Sequence, residues 1–331
     1  MNRPYYNFIN SINAQETKSK YEYCLEDYKV FCKSKDHQQL LKYKDDKIID
    51  YILNLKKQKL SSSSINSRVS AVYHFYCMND VLLNRQKINK YKGEFKTVVR
   101  DRAYTREEIH KLLDATSLRN KICILLMASS GLRLGALPLL KLKHIENNKL
   151  VRVYENSREE YYTFITPECS SLIQEYIKYR QRNGEKVTPE AYLIRNDFNI
   201  YQPLKLRKAA RGITKHAIRE NIYKLSKKVG IRLGEVSMTH GFRKFFTTQC
   251  INSNMKAEIR EMLLGHKLGI TSSYYRPTEQ EMYSEYEKAI NNLTINEENR
   301  LKEKIKTLEI DITNLEKMEN DISEMKKMLG I

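Results

Sequence analysis

Apolar residues recur every three or four positions through the first ninety residues, a spacing typical of amphipathic helices. The clearest sets are Tyr21, Leu25, Tyr28 and Phe31; then Ile48, Ile52 and Leu55; then Ile65, Val69, Val72 and Tyr76. Ser61–Ser64 precede the last set and can cap its helix. Because strand-like alternation is missing here, the pattern predicts a small all-helical domain over residues 1–90, with Lys-rich polar faces.

The apolar period is lost from Ile88 to Arg102, where basic residues dominate. This indicates a basic linker, which we place at residues 91–104. Regular structure resumes at Thr105, whose side chain can cap the next helix while Glu108 closes a capping box. A second domain is therefore expected over residues 105–285.

The pattern inside this second domain is mostly helical, with one short β-rich stretch. Helices are predicted over Asn120–Ala128, around Leu132–Leu140, and repeatedly after Thr166, including Thr214–Val229. Between them, Val151–Tyr154 and Tyr161–Ile165 flank a polar turn, which is typical of a β-hairpin. We therefore expect a mainly α fold in which an α-rich second domain carries a small antiparallel β-sheet.

The last segment, residues 286–331, carries apolar residues at heptad spacing. The first set is Leu301, Ile305, Leu308, Ile312 and Leu315, and a three-residue step then leads to Met318, Ile322, Met325 and Leu329. Such a step is typical of a stammer in a coiled coil. The alternative is a single amphipathic helix that packs on its own domain. We interpret the segment as a helical, coiled-coil tail that contacts another protomer.

Composition narrows the range of functions. Of the 331 residues, 41 % are hydrophobic, which is enough for a substantial core. The net charge of +19 indicates a polyanionic partner. Proteins of AT-rich genomes are also rich in Lys, so the distribution of basic residues along the chain is more informative than the net charge. Twelve Lys or Arg but two acids lie between Lys205 and Lys244. The longest apolar run, Ile122–Ala128, is too short for a membrane span, and residues 1–10 lack a signal-peptide core, so we expect a cytoplasmic, DNA-associated protein.

The six cysteines are scattered and form neither close pairs nor Cys/His clusters. This argues against a zinc site or a disulfide framework and suits a reducing cytosol. We therefore expect no metal and no other cofactor.

Three short segments carry candidate chemistry, although each alone is commonplace. Arg133 follows a glycine turn in Gly131–Leu137, and such an arginine is usually a solvated charge. His240 and Arg243 share a helix face, as surface pairs often do. His266 precedes Tyr275 by nine residues, and a tyrosine in such a segment is usually a packing residue.

Taken together, in this order and spacing, the three segments resemble the active-site pattern of the tyrosine recombinase (phage integrase) family. The resemblance covers about Thr105–Pro277, and the preceding helical domain is similar to the family's SAM-like core-binding domain. Tyr274–Thr278 and the tail are most similar to integrases of archaeal viruses and integrated elements.

The resemblance implies that a tyrosine hydroxyl attacks a DNA phosphodiester and forms a 3′-phosphotyrosine link without metal or ATP. Arg133 and Arg243 would then stabilise the charge on the phosphate oxygens, His240 would handle the nucleophile's proton, and His266 would hydrogen-bond the phosphate.

Two assignments stay open. Family members carry a hairpin lysine that protonates the leaving 5′-oxygen, whereas this hairpin turn presents Arg158, which does not readily release a proton. Either Arg158 acts electrostatically, or Lys149 supplies the proton, or the hairpin register differs. Tyr275 is the expected nucleophile, with its neighbour Tyr274 as the alternative.

The resemblance also implies double-stranded DNA, at specific attachment sites, as partner and a tetramer on that DNA, with cleavage in cis or in trans. Basic side chains expected to contact DNA phosphates are Lys205, Arg207, Lys208, Arg211, Lys215 and Arg219. The expected function is site-specific DNA recombination. The alternatives are a type IB-like topoisomerase and a non-catalytic DNA-binding protein derived from an integrase.

Overall fold

A computed structural model describes residues 3–93, 101–196, 210–269 and 274–329. The chain divides into two compact units, Met1–Val98 and Val99–Ile331. The first unit is helical throughout its described part, as predicted. Its helices are α1 (Arg3–Asn10), α2 (Gln15–Phe31), α3 (His37–Leu40), α4 (Asp45–Lys57), α5 (Ser62–Cys77) and α6 (Arg85–Lys92).

The apolar sets predicted from the sequence form the core of this first unit. Leu25, Ile52 and Val69 are each fully buried, one from each of the three longest helices. The predicted cap of α5 is confirmed, since the Ser61 hydroxyl accepts a hydrogen bond from the Ser64 backbone N–H at 3.2 Å.

The predicted linker, residues 91–104, is wrong at both ends. Helix α6 continues to Lys92 because Ile88 is fully buried and fixes one face of the helix on the first unit. At the other end, the ring of Tyr104 stacks on Phe242 with 4.3 Å between centroids, and its hydroxyl donates to the carbonyl oxygen of Met238 at 2.8 Å. Residues 94–100 lie outside the described part of the chain.

The second unit is α-rich with one small sheet, which confirms the predicted fold class. Its helices are α7 (Arg106–Asp114), α8 (Leu118–Ser130), α9 (Pro167–Arg182), α10 (Lys215–Lys228), α11 (His240–Asn252), α12 (Ala257–Leu263), α13 (Glu279–Leu293) and α14 (Glu297–Leu329). The capping box of Thr105 and Glu108 at the start of α7 is confirmed.

The sheet contains the predicted hairpin. Strands β1 (Ile145–Glu146), β2 (Leu150–Val153) and β3 (Tyr161–Phe164) are antiparallel in the order β1-β2-β3, with Val151 opposite Thr163. The turn between β2 and β3 carries Arg158, which is exposed.

The predicted helix around Leu132–Leu140 is wrong. Only a three-residue 3₁₀ helix, Leu137–Leu139, forms in this stretch. Pro138 lacks the N–H that an α-helix interior would need, and it falls within the short 3₁₀ turn instead. Arg133 therefore lies in an irregular segment after the Gly131 turn, and not at a helix start.

The boundary that we drew at residue 285 also needs correction, because α13 runs through it. Tyr286, Ala289 and Leu293 are buried in the core of the second unit, and the Tyr286 hydroxyl donates to the carbonyl oxygen of Ser129 at 2.9 Å. The tail therefore begins with α14, at Glu297.

Candidate active site

Arg243 is held in the second unit by contacts to two distant segments. Phe242 and Phe246, on either side of it in α11, are fully buried and fix the helix in the core. The Arg243 side chain is only 6 % exposed. Its Nη1 donates to the carbonyl oxygen of Gly131 at 2.6 Å, and its Nη2 donates to that of Leu264 at 2.5 Å. The guanidinium is therefore fixed in the free protein.

Two glycines allow the chain to turn tightly around this guanidinium. Gly131 ends α8 in the left-handed region at φ +64°, and a Cβ there would lie 2.7 Å from the Phe246 ring and 2.8 Å from Leu264. Gly265 has the same φ, and a Cβ would lie 2.6 Å from the Tyr161 ring. Glycine at these positions thus brings Arg133 and His266 next to Arg243.

Arg133 is exposed, and its positive charge affects the pKa of both Arg243 and His240. Burial lowers the pKa of the Arg243 guanidinium, and the positive charge of Arg133 lowers it further. Two guanidinium groups therefore repel each other in the free protein, and an anion that contacts both would relieve this repulsion.

His240 lies one helical turn before Lys244 on α11. Burial lowers the pKa of the His240 imidazole, and the positive charges of Lys244, Arg243 and Arg133 lower it further. The Lys244 Nζ donates to the carbonyl oxygen of Asp101 at 2.7 Å and also contacts the Asp101 carboxylate. Because its pKa is lowered, the His240 imidazole stays neutral, and able to accept a proton, over a wider range of pH.

We expect the His240 imidazole to titrate below its ordinary value of about 6.5 in the free protein. Lys244→Gln should raise the midpoint, because it removes a nearby positive charge. NMR titration of the imidazole measures both midpoints. Lys178→Gln, an equal charge change at an exposed position of α9, is the control and should leave the midpoint in place.

His266 directly follows the Gly265 turn and connects Arg243 to a carboxylate. Its Nε2 accepts a hydrogen bond from the Arg243 Nη2 at 2.7 Å, and its Nδ1 lies 2.6 Å from the Glu261 Oε2. The imidazole is 41 % exposed, so one side stays open to a ligand.

Two clefts meet at His266. One, of about 340 Å³, is also lined by His240, Arg243 and Lys244. The other, of about 320 Å³, is lined by Arg158 and Tyr275 as well. Tyr275 is partly buried against the core of the second unit.

The candidates for the nucleophile and for the group beside the leaving oxygen differ in their surroundings. Tyr274 is 87 % exposed, whereas Tyr275 lines the cleft that contains His266. The Lys149 Nζ lies 3.6 Å from the centroid of the Tyr283 ring, so its ammonium is directed at α13. Arg158 lines the same cleft as Tyr275.

The predicted DNA-contacting residues fall into two groups. Lys205, Arg207 and Lys208 lie outside the described residues. Arg211, Lys215 and Arg219 are exposed, the last two one helical turn apart in the first half of α10. The described part of the predicted basic surface is therefore accessible.

Sequence reasoning missed four residues of this site. Asp101 holds Lys244, Glu261 holds His266, and the partly buried Tyr161 ring lies against Gly265. The spacing of four between His240 and Lys244 could have revealed Lys244 as a neighbour on the same helix face. The contacts of Asp101 and Tyr161 join residues far apart in sequence, and the contact between Glu261 and His266 crosses the turn at Gly265, so none of them left a comparable pattern.

In the part of the chain that the structure describes, no three His, Cys, Asp or Glu side chains group together as metal ligands would. None of the described helices is both long and apolar enough to cross a membrane.

Two family models match the chain. The model of the Phage integrase family matches residues 102–281, which include Arg133, Arg158, His240, Arg243, His266 and Tyr275. The model of the Phage integrase, N-terminal SAM-like domain matches residues 5–78, within the first unit.

Curated proteins and solved structures agree with these matches. Tyrosine recombinase XerC of Lactobacillus leichmannii is 23 % identical over 243 residues, 69 % of this chain and 77 % of that protein. Tyrosine recombinase XerA of Pyrococcus horikoshii is 24 % identical over 249 residues, 73 % and 79 % of the two chains.

Among solved structures, the Tn1549 transposon integrase in complex with transposon right end DNA aligns with a TM-score of 0.60 at 16 % identity, covering 85 % of this chain and 98 % of that one. A lambda integrase dimer bound to a COC′ core site aligns with a TM-score of 0.53 at 16 % identity, covering 81 % and 90 %. These likenesses show the fold. Since the first family model alone covers more than half of the residues, the chain belongs to the phage integrase family of tyrosine recombinases.

Proposed function

We propose that the protein is a site-specific DNA recombinase that cleaves and rejoins DNA through a covalent 3′-phosphotyrosine intermediate. One observation carries the proposal: the buried Arg243 is bonded to His266, and His266 lines the same cleft as Tyr275. Arg243 and Tyr275 line the two clefts that meet at His266, so the space around its open imidazole is flanked by a fixed guanidinium and a phenol, the groups that phosphoryl transfer to tyrosine needs.

The proposed reaction begins when a phosphodiester enters this space. His240 accepts the hydroxyl proton of Tyr275, and the phenolic oxygen attacks phosphorus while the bond from phosphorus to the 5′-oxygen breaks. Arg133 and Arg243 stabilise the charge on the non-bridging oxygens, and His266 donates a hydrogen bond to one of them. The leaving 5′-oxygen takes a proton from solvent water and departs as a 5′-hydroxyl. Arg158 cannot readily donate that proton, so we assign it to electrostatic stabilisation of the leaving oxygen.

Trapping of the covalent intermediate tests the proposal. A duplex nicked next to the cleavage point loses its 5′-hydroxyl fragment after attack, so that the protein remains attached to DNA. We expect the attached peptide to contain Tyr275. The absence of covalent attachment to any nicked duplex would contradict a recombinase. Relaxation of any supercoiled plasmid without sequence preference would favour a type IB-like topoisomerase.

The proposed partner is double-stranded DNA at attachment sites. Arg211, Lys215 and Arg219 are exposed and basic, as contacts to backbone phosphates require. The printed descriptions of the Tn1549 and lambda integrase structures, both bound to DNA, support this choice of partner.

We also propose that α14 joins protomers of the assembly on DNA, a tetramer in our interpretation. Eight apolar side chains of α14 at heptad-like spacing are each 51–61 % exposed. They are Leu301, Ile305, Leu308, Ile312, Leu315, Met318, Ile322 and Met325. A continuous apolar stripe on a long helix is stable in water when a second surface covers it.

Charge complementarity favours a second copy of α14 as that surface. The flanking heptad positions of a parallel, in-register pair would join Glu297 with Lys302 of the other copy, and Lys304 with Glu309. The first two heptads therefore combine a self-complementary apolar seam with opposite charges across it.

Light scattering of the full chain tests this contact. We expect a mass above that of one chain, and Leu308→Glu should lower it because the glutamate places a charge in the seam. Lys317→Gln, an equal charge change at an exposed flank of the same helix, should leave the mass unchanged. A monomeric full chain, or an unchanged number of protomers after deletion of residues 300–331, would overturn the proposed contact.

A further inference from the structure

Three side chains from two helices and the turn after one of them form a continuous hydrogen-bonded chain. Glu261 on α12 contacts the Nδ1 of His266 at 2.6 Å, and the Nε2 of His266 contacts the Nη2 of Arg243 on α11 at 2.7 Å. Glu261 is itself contacted by Arg260, whose Nε and Nη2 each lie 3.2 Å from its Oε1.

The direction of these hydrogen bonds fixes the proton on His266. A guanidinium is always a donor, so the His266 Nε2 must accept from Arg243. In the neutral ring, the proton is then on Nδ1 and is donated to the Glu261 carboxylate. Glu261 therefore sets the tautomer and the orientation of the imidazole in the free protein.

We propose that Glu261 is a positioning residue that also makes His266 a donor during catalysis, an inference that rests on the proposed function. A phosphate oxygen that replaces Arg243 beside Nε2 has no proton to share, so Nε2 must carry one. With Nδ1–H already donated to Glu261, the imidazole takes a second proton from solvent and becomes an imidazolium. The adjacent carboxylate stabilises that cation.

The ionisation of Glu261 supports this role. Burial raises the pKa of its carboxyl, but hydrogen bonds from His266 and Arg260 outweigh burial and hold the pKa below its ordinary value. Glu261 is therefore a carboxylate at neutral pH and supplies a negative charge beside Nδ1.

Glu261 acts against a positive surrounding. The titratable and charged groups of the two clefts that face His266 are Arg158, Glu159, Glu160, Tyr161, His240, Arg243, Lys244, Lys267, Tyr275 and Arg276. Six of these groups are basic and two are carboxylates, whereas Glu261 is a carboxylate within hydrogen-bond distance of the imidazole.

Glu261→Gln separates charge from geometry, because the amide oxygen can still accept the Nδ1–H. We expect the rate of covalent attachment to a nicked duplex to be near that of the unmodified protein at about pH 6. At higher pH the rate should fall earlier than in the unmodified protein, because the imidazolium has lost its adjacent carboxylate. Glu258→Gln, an exposed position of the same helix, is the matched control and should keep the original profile.

Glu261→Leu removes both charge and acceptor, so attachment should be slower across the whole range of pH. ¹⁵N chemical shifts of the His266 ring in the free protein should show the Nδ1–H form in the unmodified protein and a mixture of tautomers in Glu261→Leu. An unchanged pH profile for Glu261→Gln, with attachment intact in the unmodified protein, would overturn the role of Glu261 alone. Loss of attachment in the unmodified protein would overturn the proposed function as well.

Discussion

A chain carrying Tyr275→Phe should bind its DNA with unchanged affinity and form no covalent complex with it. The substitution removes one oxygen, the atom that would attack phosphorus, and keeps the ring that packs against the core of the second unit. Gel separation of protein–DNA complexes under denaturing conditions measures attachment, and titration of labelled duplex measures binding.

Tyr274→Phe is the matched control for this prediction. Tyr274 is the neighbouring residue, is 87 % exposed, and loses the same oxygen. We expect attachment to persist in this variant. Attachment that survives Tyr275→Phe and disappears in Tyr274→Phe would reverse the assignment of the nucleophile.

Arg243→Lys should slow covalent attachment by about 10²–10³-fold, although it conserves the charge. An ammonium cannot reproduce the planar fork that reaches Gly131, Leu264 and His266 together. The two carbonyl oxygens compete for its few donors, so that a phosphate receives fewer contacts in the transition state.

The same substitution should lower the free energy of unfolding by about 1–3 kcal/mol, because buried carbonyl groups lose hydrogen bonds. Thermal unfolding therefore accompanies the kinetic measurement, which is made at a temperature where the variant is folded. Arg232→Lys, whose side chain is 83 % exposed, should change neither quantity. Attachment by Arg243→Lys at the unmodified rate would contradict the role assigned to the guanidinium.

Local patterns predicted most of the fold because they act over a few residues. The capping box of Thr105 with Glu108, the helix between Thr214 and Val229, and the β2–β3 hairpin depend on side chains close in sequence. The helical spacing of His240 and Arg243 is likewise a local property, and the structure places both on α11.

Tertiary packing decided what the sequence pattern could not reveal. Tyr104 looked like part of a linker because its stacking partner, Phe242, is far along the chain. The Lys244 contact with Asp101 spans 143 residues. The contact between Glu261 and His266 depends on the Gly265 turn beyond the end of α12, so helical periodicity does not predict it.

The arginine at the centre of the site is bonded to carbonyls of Gly131 and Leu264, which are separated by more than a hundred residues. During synthesis, a growing polypeptide lacks the second of these carbonyls until most of the message has been translated. A nascent or truncated product therefore cannot fix Arg243 in place, and we expect it to form no covalent complex with DNA before the whole second unit has folded.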